Sequence, residues 1–199
     1  IRRVSLPLNT AKWQVVCDLA CRYRDEKNEH LRAYQVDAAF AASTSERTRR
    51  DELVAAHYAS PHGFQARMWK LAQKDGYETV EKQWAALREE LSPLIQRHEN
   101  WSEAAKHYAH WLIYTPPRMA ELVGERAPQH KFAVTPKEQH TVRTYLRRVI
   151  RRKRGNRPVA KAARSLAFDA NMYGLFEENG RQYIRLMGLE KGQRLILPL

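Results

Sequence analysis

Apolar residues recur with helical spacing through the body of this chain and with strand spacing only near its two ends, and that division limits the folds open to it. Near the start, Val4, Leu6 and Leu8 alternate with other residues, the period of a half-buried strand. Near the end, residues 172–177 and 181–189 are strand-like runs joined by Glu178-Asn179-Gly180. Asn-Gly between two such runs is the strongest short hairpin signal, because both turn residues must adopt positive φ. Residues 190–193 turn the chain again into Arg194-Leu195-Ile196-Leu197, which completes a three-strand meander.

The intervening sequence reads as helices. Asn9 and Thr10 offer capping side chains, and across residues 11–42 Trp13, Val16, Ala20, Tyr23, Leu31, Tyr34 and Ala38 follow a helical repeat. The charged stretch 24–30 interrupts that repeat, so the segment is one long helix or a pair with a polar waist. Residues 46–59 form a charged helix closed by Ser60-Pro61. Phe64, Met68 and Leu71 mark a short helix expected to end near Gly76. One further helix carries Val80, Trp84, Leu87, Leu91 and Leu94, and another Ala104, Tyr108, Trp111 and Leu112, which Tyr114-Thr115-Pro116-Pro117 stops. Residues 124–134 are expected to be an exposed loop. Thr135-Pro136-Lys137-Glu138 then opens the best-defined helix: Thr135 caps, Pro136 suits the first turn, and Glu138 returns a bond to the cap. Val142, Tyr145, Leu146, Val149 and Ile150 supply its apolar face, and Gly155-Asn156-Arg157-Pro158 ends it.

A lone strand is not stable, so residues 2–8 are expected to pair with the C-terminal meander. The expected fold is mainly α with a small β module. Residues 1–8 and 165–199 make a discontinuous antiparallel barrel of the oligonucleotide-binding type, and residues 9–164 make a helical domain inserted into it. Such a barrel needs five strands and four are counted, so it is incomplete. With Ile1 as the first residue, this points to a longer polypeptide, whose remainder or a second subunit supplies the missing strands.

Charge narrows the function. The 199 residues include 35 Lys plus Arg against 22 Asp plus Glu, a formal charge of +13, and 43% of the chain is hydrophobic. A chain with that apolar content builds a core rather than a disordered tail, and its excess charge calls for a polyanion. Most of the excess lies in Arg143, Arg147, Arg148, Arg151, Arg152, Lys153, Arg154, Arg157, Lys161 and Arg164, with no Asp or Glu between Glu138 and Asp169. Arg143, Arg147, Arg151 and Arg154 form one stripe beside the apolar stripe of Val142, Leu146 and Val149. A helix held to a core by one face and presenting guanidiniums on the next suits phosphate, because each guanidinium grips two oxygens and stays charged. All of these arginines with Lys161, Lys153 excepted, are the expected nucleic-acid contacts. A membrane surface is the weaker candidate, since the apolar face is committed to a core and no run approaches the roughly 20 residues of a span. A soluble, cytoplasmic protein is expected.

The remaining chemistry is sparse. Cys17 and Cys21 share a helix face and are expected to be reduced thiols. Glu103, His107 and His110 lack a second ligand-bearing segment, and no metal site is expected. Asp169 reads as a turn residue. No phosphate loop, nucleophile elbow or zinc-protease motif occurs, so no catalytic residue is assigned. Most aromatics fall on core stripes, and Tyr23 and Trp69, flanked by basic residues, are the candidates for base stacking.

The layout of a short strand with Leu6 and Leu8, a helical insertion, an arginine-rich helix, and Ser165-Leu166-Ala167-Phe168-Asp169 running through hairpins to Leu195-Ile196-Leu197-Pro198-Leu199 resembles the front part of the RNA-guided nucleases of the type V CRISPR and transposon-encoded TnpB superfamily. The resemblance implies that the β module is the wedge domain and the insertion the recognition lobe. It also implies that the arginines from Arg143 to Arg164 track a guide RNA or the guide–target DNA heteroduplex. The family's RuvC-like domain, with its metal-binding carboxylates, and its zinc ribbon have no counterpart here. No cofactor is therefore expected in this chain, and Mg2+ belongs only to a C-terminal RuvC domain of a complete protein. The alternative is a non-catalytic nucleic-acid-binding protein, such as a DNA-binding repressor or a transposition accessory factor, that sets the same helix in a groove.

Overall fold

A computed structural model describes residues 5–42, 45–124, 130–163, 166–190 and 192–199. Over these residues the chain is mainly helical with a small, open, three-strand antiparallel sheet. The helices are α1 (Thr10–Tyr34), α2 (Asp37–Ala42), α3 (Glu46–Ala55), α4 (Ala66–Gln96), α5 (Glu103–Ile113), α6 (Pro116–Val123) and α7 (Pro136–Lys153), and the strands are β1 (Tyr173–Glu178), β2 (Arg181–Met187) and β3 (Arg194–Pro198). None of the helices is long and apolar enough to cross a membrane.

The chain divides into two compact units. One takes Ile1–His30, Leu53–Asp75 and Ala160–Leu199, and the other takes Leu31–Glu52 and Gly76–Val159. This differs from a division at residues 8/9 and 164/165, and the cores explain why. In the first unit Leu19 and Tyr23 of α1 pack with Phe64, Met68, Trp69 and Met172. From the sheet, Leu195 and Met187 also pack against that cluster. In the second unit Val80, Trp84, Leu91 and Ile95 of α4 pack with Tyr108 and Leu112 of α5 and with Val142, Leu146 and Ile150 of α7.

Residues 24–30 do not split α1. Glu26 and His30 fall on the same stripe as Leu19 and Tyr23 and are themselves buried, so the polar waist is an internal network rather than a solvent-exposed break. Glu26 accepts from Tyr58 Oη at 2.9 Å and from Ser60 Oγ at 2.6 Å, and His30 Nε2 lies 3.3 Å from Glu26 Oε1. The expected break near Gly76 is also absent. A glycine inside a helix costs only about 1 kcal/mol, less than the burial gained on either side of it, where Met68, Trp69 and Ala72 enter one core and Tyr77, Val80 and Trp84 the other. Pro116-Pro117 ends α5 as expected and at once starts α6, because a proline in the first turn forfeits no helical hydrogen bond.

The hairpin between β1 and β2 turns through Asn179 and Gly180, with φ of 51° and 74°, and pairs Phe176 with Tyr183. The expected first strand lies partly in residues 1–4, outside the described residues. Residues 5–9 carry no strand, yet the Leu6 N–H donates to the Pro198 carbonyl at 3.2 Å, beside β3. The described strands make an open sheet and do not close a barrel.

Candidate nucleic-acid interface

The α7 helix begins as its sequence dictates. Thr135 Oγ1 accepts from the Glu138 N–H at 3.2 Å, and Glu138 Oε2 accepts from the Thr135 N–H at 2.9 Å. Glu138 Oε1 also accepts from Ser102 Oγ, the cap of α5, at 2.8 Å. These hydrogen bonds hold the Glu138 carboxyl below the ordinary range, the backbone bond of Thr135 contributing most. Val142, Leu146 and Ile150 are fully buried and fix the helix against its core.

The arginine stripe is not uniform. Arg147 is half-buried, and its Nε donates to the Leu122 carbonyl at 2.7 Å, while Arg151 Nη2 donates to the Val123 carbonyl at 3.3 Å. Leu122 and Val123 close α6, where carbonyls lack helical partners and the helix end is partly negative. Two members of the row therefore cap a neighbouring helix. Arg143 donates to the Gln139 carbonyl of its own helix at 3.3 Å. Burial pushes the Tyr108 phenol up, and the charges of Arg143 and Arg147 offset part of that rise. Arg154 sits with its guanidinium carbon 4.4 Å from the Trp84 ring centroid, and Lys153 pairs with Glu90 at 2.9 Å.

Arg148 and Arg152 are exposed, with Arg148 5.8 Å from the Tyr145 ring centroid. Together with Thr144, Arg147 and Arg151 they line an open concavity of about 600 Å3, and none of the five is acidic. Arg151, Arg154 and Arg157 meet around Gly155 in a second concavity of about 320 Å3. Lys161 is exposed and belongs to the other unit, and Arg164 lies outside the described residues. The stripe expected to face an anion thus divides. Arg143, Arg147 and Arg154 are half-buried and engaged with the protein, whereas Arg148, Arg152 and Arg157 face solvent.

Three aromatic assignments are corrected. Tyr23 and Trp69 are 2% and 4% exposed, in the core of the first unit, and cannot receive a base. Flanking charge misled there, because neighbours in sequence on a helix point to other faces. Trp13, placed on a core stripe by its period, is 58% exposed, because the buried stripe of α1 runs through Leu19, Tyr23 and Glu26 instead. Asp169 takes the turn role: Oδ1 accepts from the Asn171 N–H at 2.8 Å and from Arg67 Nη1 at 3.4 Å. Cys17 and Cys21 are unbridged and half-buried. Glu103 pairs with Lys106 at 3.0 Å, and among the described residues no three His, Cys, Asp or Glu side chains come together to hold an ion. Missed from sequence was the hairpin face on which the Asn-Gly register sets Phe176 against Tyr183, with Arg181 and Arg185 two residues to either side of Tyr183. Counting outward from the turn identifies that pair.

Compared with known protein families, curated proteins and solved structures, the chain matches none.

Proposed function

We propose that this chain grips the sugar–phosphate backbone of structured RNA through α7, as the guide-RNA- and heteroduplex-holding portion of an RNA-guided DNA endonuclease of the type V CRISPR and TnpB kind. One observation carries the reading. Arg148 and Arg152 stand exposed, four residues apart, on a helix whose opposite stripe of Val142, Leu146 and Ile150 is fully buried. A rigid helix with outward guanidiniums pays little ordering entropy when it meets a row of phosphates. A-form helices are recognised through backbone shape rather than base edges, which matches a surface rich in arginine and poor in base-reading amides.

On this reading the open sheet and the Leu6 contact to Pro198 belong to an oligonucleotide-binding-like wedge barrel, with its missing strands supplied by the rest of the polypeptide or a second subunit. Target DNA enters as the second strand of the heteroduplex. Cleavage belongs to a domain outside this chain, which works in the cytoplasm.

The test is a salt titration of filter retention, comparing a structured hairpin RNA with duplex DNA of equal length. RNA preference, with affinity falling linearly in the logarithm of salt, is expected. Preference for plain duplex DNA overturns the guide-RNA reading and favours a DNA-binding repressor or transposition accessory factor, and salt-independent retention overturns both.

A further inference from the structure

From the Phe176 face of the hairpin we infer a second, chemically different nucleic-acid site: the stacked pair Phe176 and Tyr183, with Arg181 and Arg185, binds unpaired nucleotides of a single strand. The inference rests on the first unit alone and does not require the α7 reading.

Side chains of paired residues in an antiparallel sheet share a face, and successive residues alternate faces. Leu197, Leu195 and Leu186 therefore lie on one face, and Leu197 is only 8% exposed there. Phe176, Tyr183, Arg185 and Ile196 lie on the other, where Arg185 is exposed and Ile196 is 41% exposed. Met187, also on that second face, packs against the core of this unit, and Tyr173 and Leu175 on the first are 43% and 49% exposed, so both faces reach water towards the Asn179-Gly180 turn. On the second face the rings of Phe176 and Tyr183 stack with centroids 5.3 Å apart and planes 18° from parallel, and both residues keep part of their surface in water.

A cross-strand aromatic pair by itself only stabilises a hairpin. What surrounds this one gives it a ligand. Arg185 is the cross-strand partner of Gly174, and a Cβ at Gly174 would stand in ordinary contact, 3.6 Å from Arg185 Nη2. The Arg185 guanidinium thus lies across β1 on the same face as Phe176. Arg181 stands at the other end of the pair, opposite Glu178. The result is a π surface with a cation at either end along β2. An unpaired base extends such a stack while its flanking phosphates meet the guanidiniums, the arrangement by which sheets bind single strands without reading sequence. A duplex offers no exposed base face and gains nothing from the pair.

The experiment uses the full chain with fluorescent uridine and deoxythymidine strands of about 10 nucleotides, within the site size of such sheets, and a blunt RNA hairpin as the paired control. The double variant F176L/Y183L keeps apolar bulk on the strands and removes the π faces. It is expected to bind both single strands about tenfold or more weakly and the hairpin as the wild type does, while R148A/R152A weakens hairpin binding and spares the single strands. R185Q is expected to lower the salt slope for a single strand by about 0.7. Should the double variant fail to fold, ultraviolet cross-linking of the uridine strand to the wild-type chain gives the answer: an adduct on the peptide holding Phe176 and Tyr183 supports the site, and adducts confined to other peptides overturn it. A folded double variant with unchanged single-strand affinity also overturns it, and so does equal loss of single strand and hairpin. Loss of hairpin binding in R148A/R152A with single-strand binding intact bears on α7 alone, so the two proposals fail separately.

Discussion

Arg147 donates from Nε to the carbonyl oxygen of Leu122 at 2.7 Å, a bond between α7 and the closing turn of α6. A row of like charges on a helix reads as one surface in sequence. In the fold this arginine is structural and its neighbour Arg148 is not. The two differ by one position, or about 100° around the helix, and that rotation separates a half-buried guanidinium from an exposed one.

R147A is therefore expected to lose about 1.5–3 kcal/mol of stability, the range for a hydrogen bond with a charged donor. In calorimetry this appears as a fall of several degrees in Tm. R148A and R152A are expected to leave Tm nearly unchanged, as substitutions at exposed positions do. Equal melting of all three variants would show that the Leu122 contact carries no stability.

The Glu26 network predicts a dependence on acid. Burial alone pushes this carboxyl up, but contacts from His30, Ser60 and Tyr58 outweigh it and hold the group below its ordinary value of 4.5. Because the folded-state value is depressed, its contribution to stability is present above 4.5 and is lost as pH falls through the lowered value. E26Q is expected to be less stable than wild type at neutral pH by about 1–3 kcal/mol, the cost of mismatched buried donors. The gap should close as the solution is acidified below that window. A gap that stays constant down to the acid transition, followed by circular dichroism, would remove Glu26 as its source.

Gly180 tests the hairpin. Its φ is 74°, and no atom lies within 4 Å of where a Cβ would sit, so substitution there strains the backbone without a steric clash. G180A is expected to cost about 1–2 kcal/mol. Hydrogen exchange is expected to rise along β1 and β2 and not in α7. Uniform acceleration throughout the chain would mean that the hairpin does not open locally.

Local chemistry was legible wherever it is closed within a few residues. The capping box of Thr135 and Glu138, the Asn179-Gly180 turn and the buried stripe of α7 each involve partners three or four apart or directly adjacent, and each forms as its spacing dictates. The continuity of α4 through Gly76 was not legible, because a weak local penalty was overridden by burial that depends on the whole core. Trp13 and Trp69 exchanged places for a related reason. Period alone does not say which stripe of a long helix meets the core when several stripes carry apolar residues.

For this protein, sequence alone determined the Asn179-Gly180 turn, the start of α7, and that its positive charge concentrates around α7. Tertiary structure decided which guanidiniums remain available to a ligand. The acceptor of Arg147 is a backbone carbonyl 25 residues away, on a helix end whose position no local pattern encodes, and a carbonyl without a helical partner attracts a cation wherever the fold brings the two together.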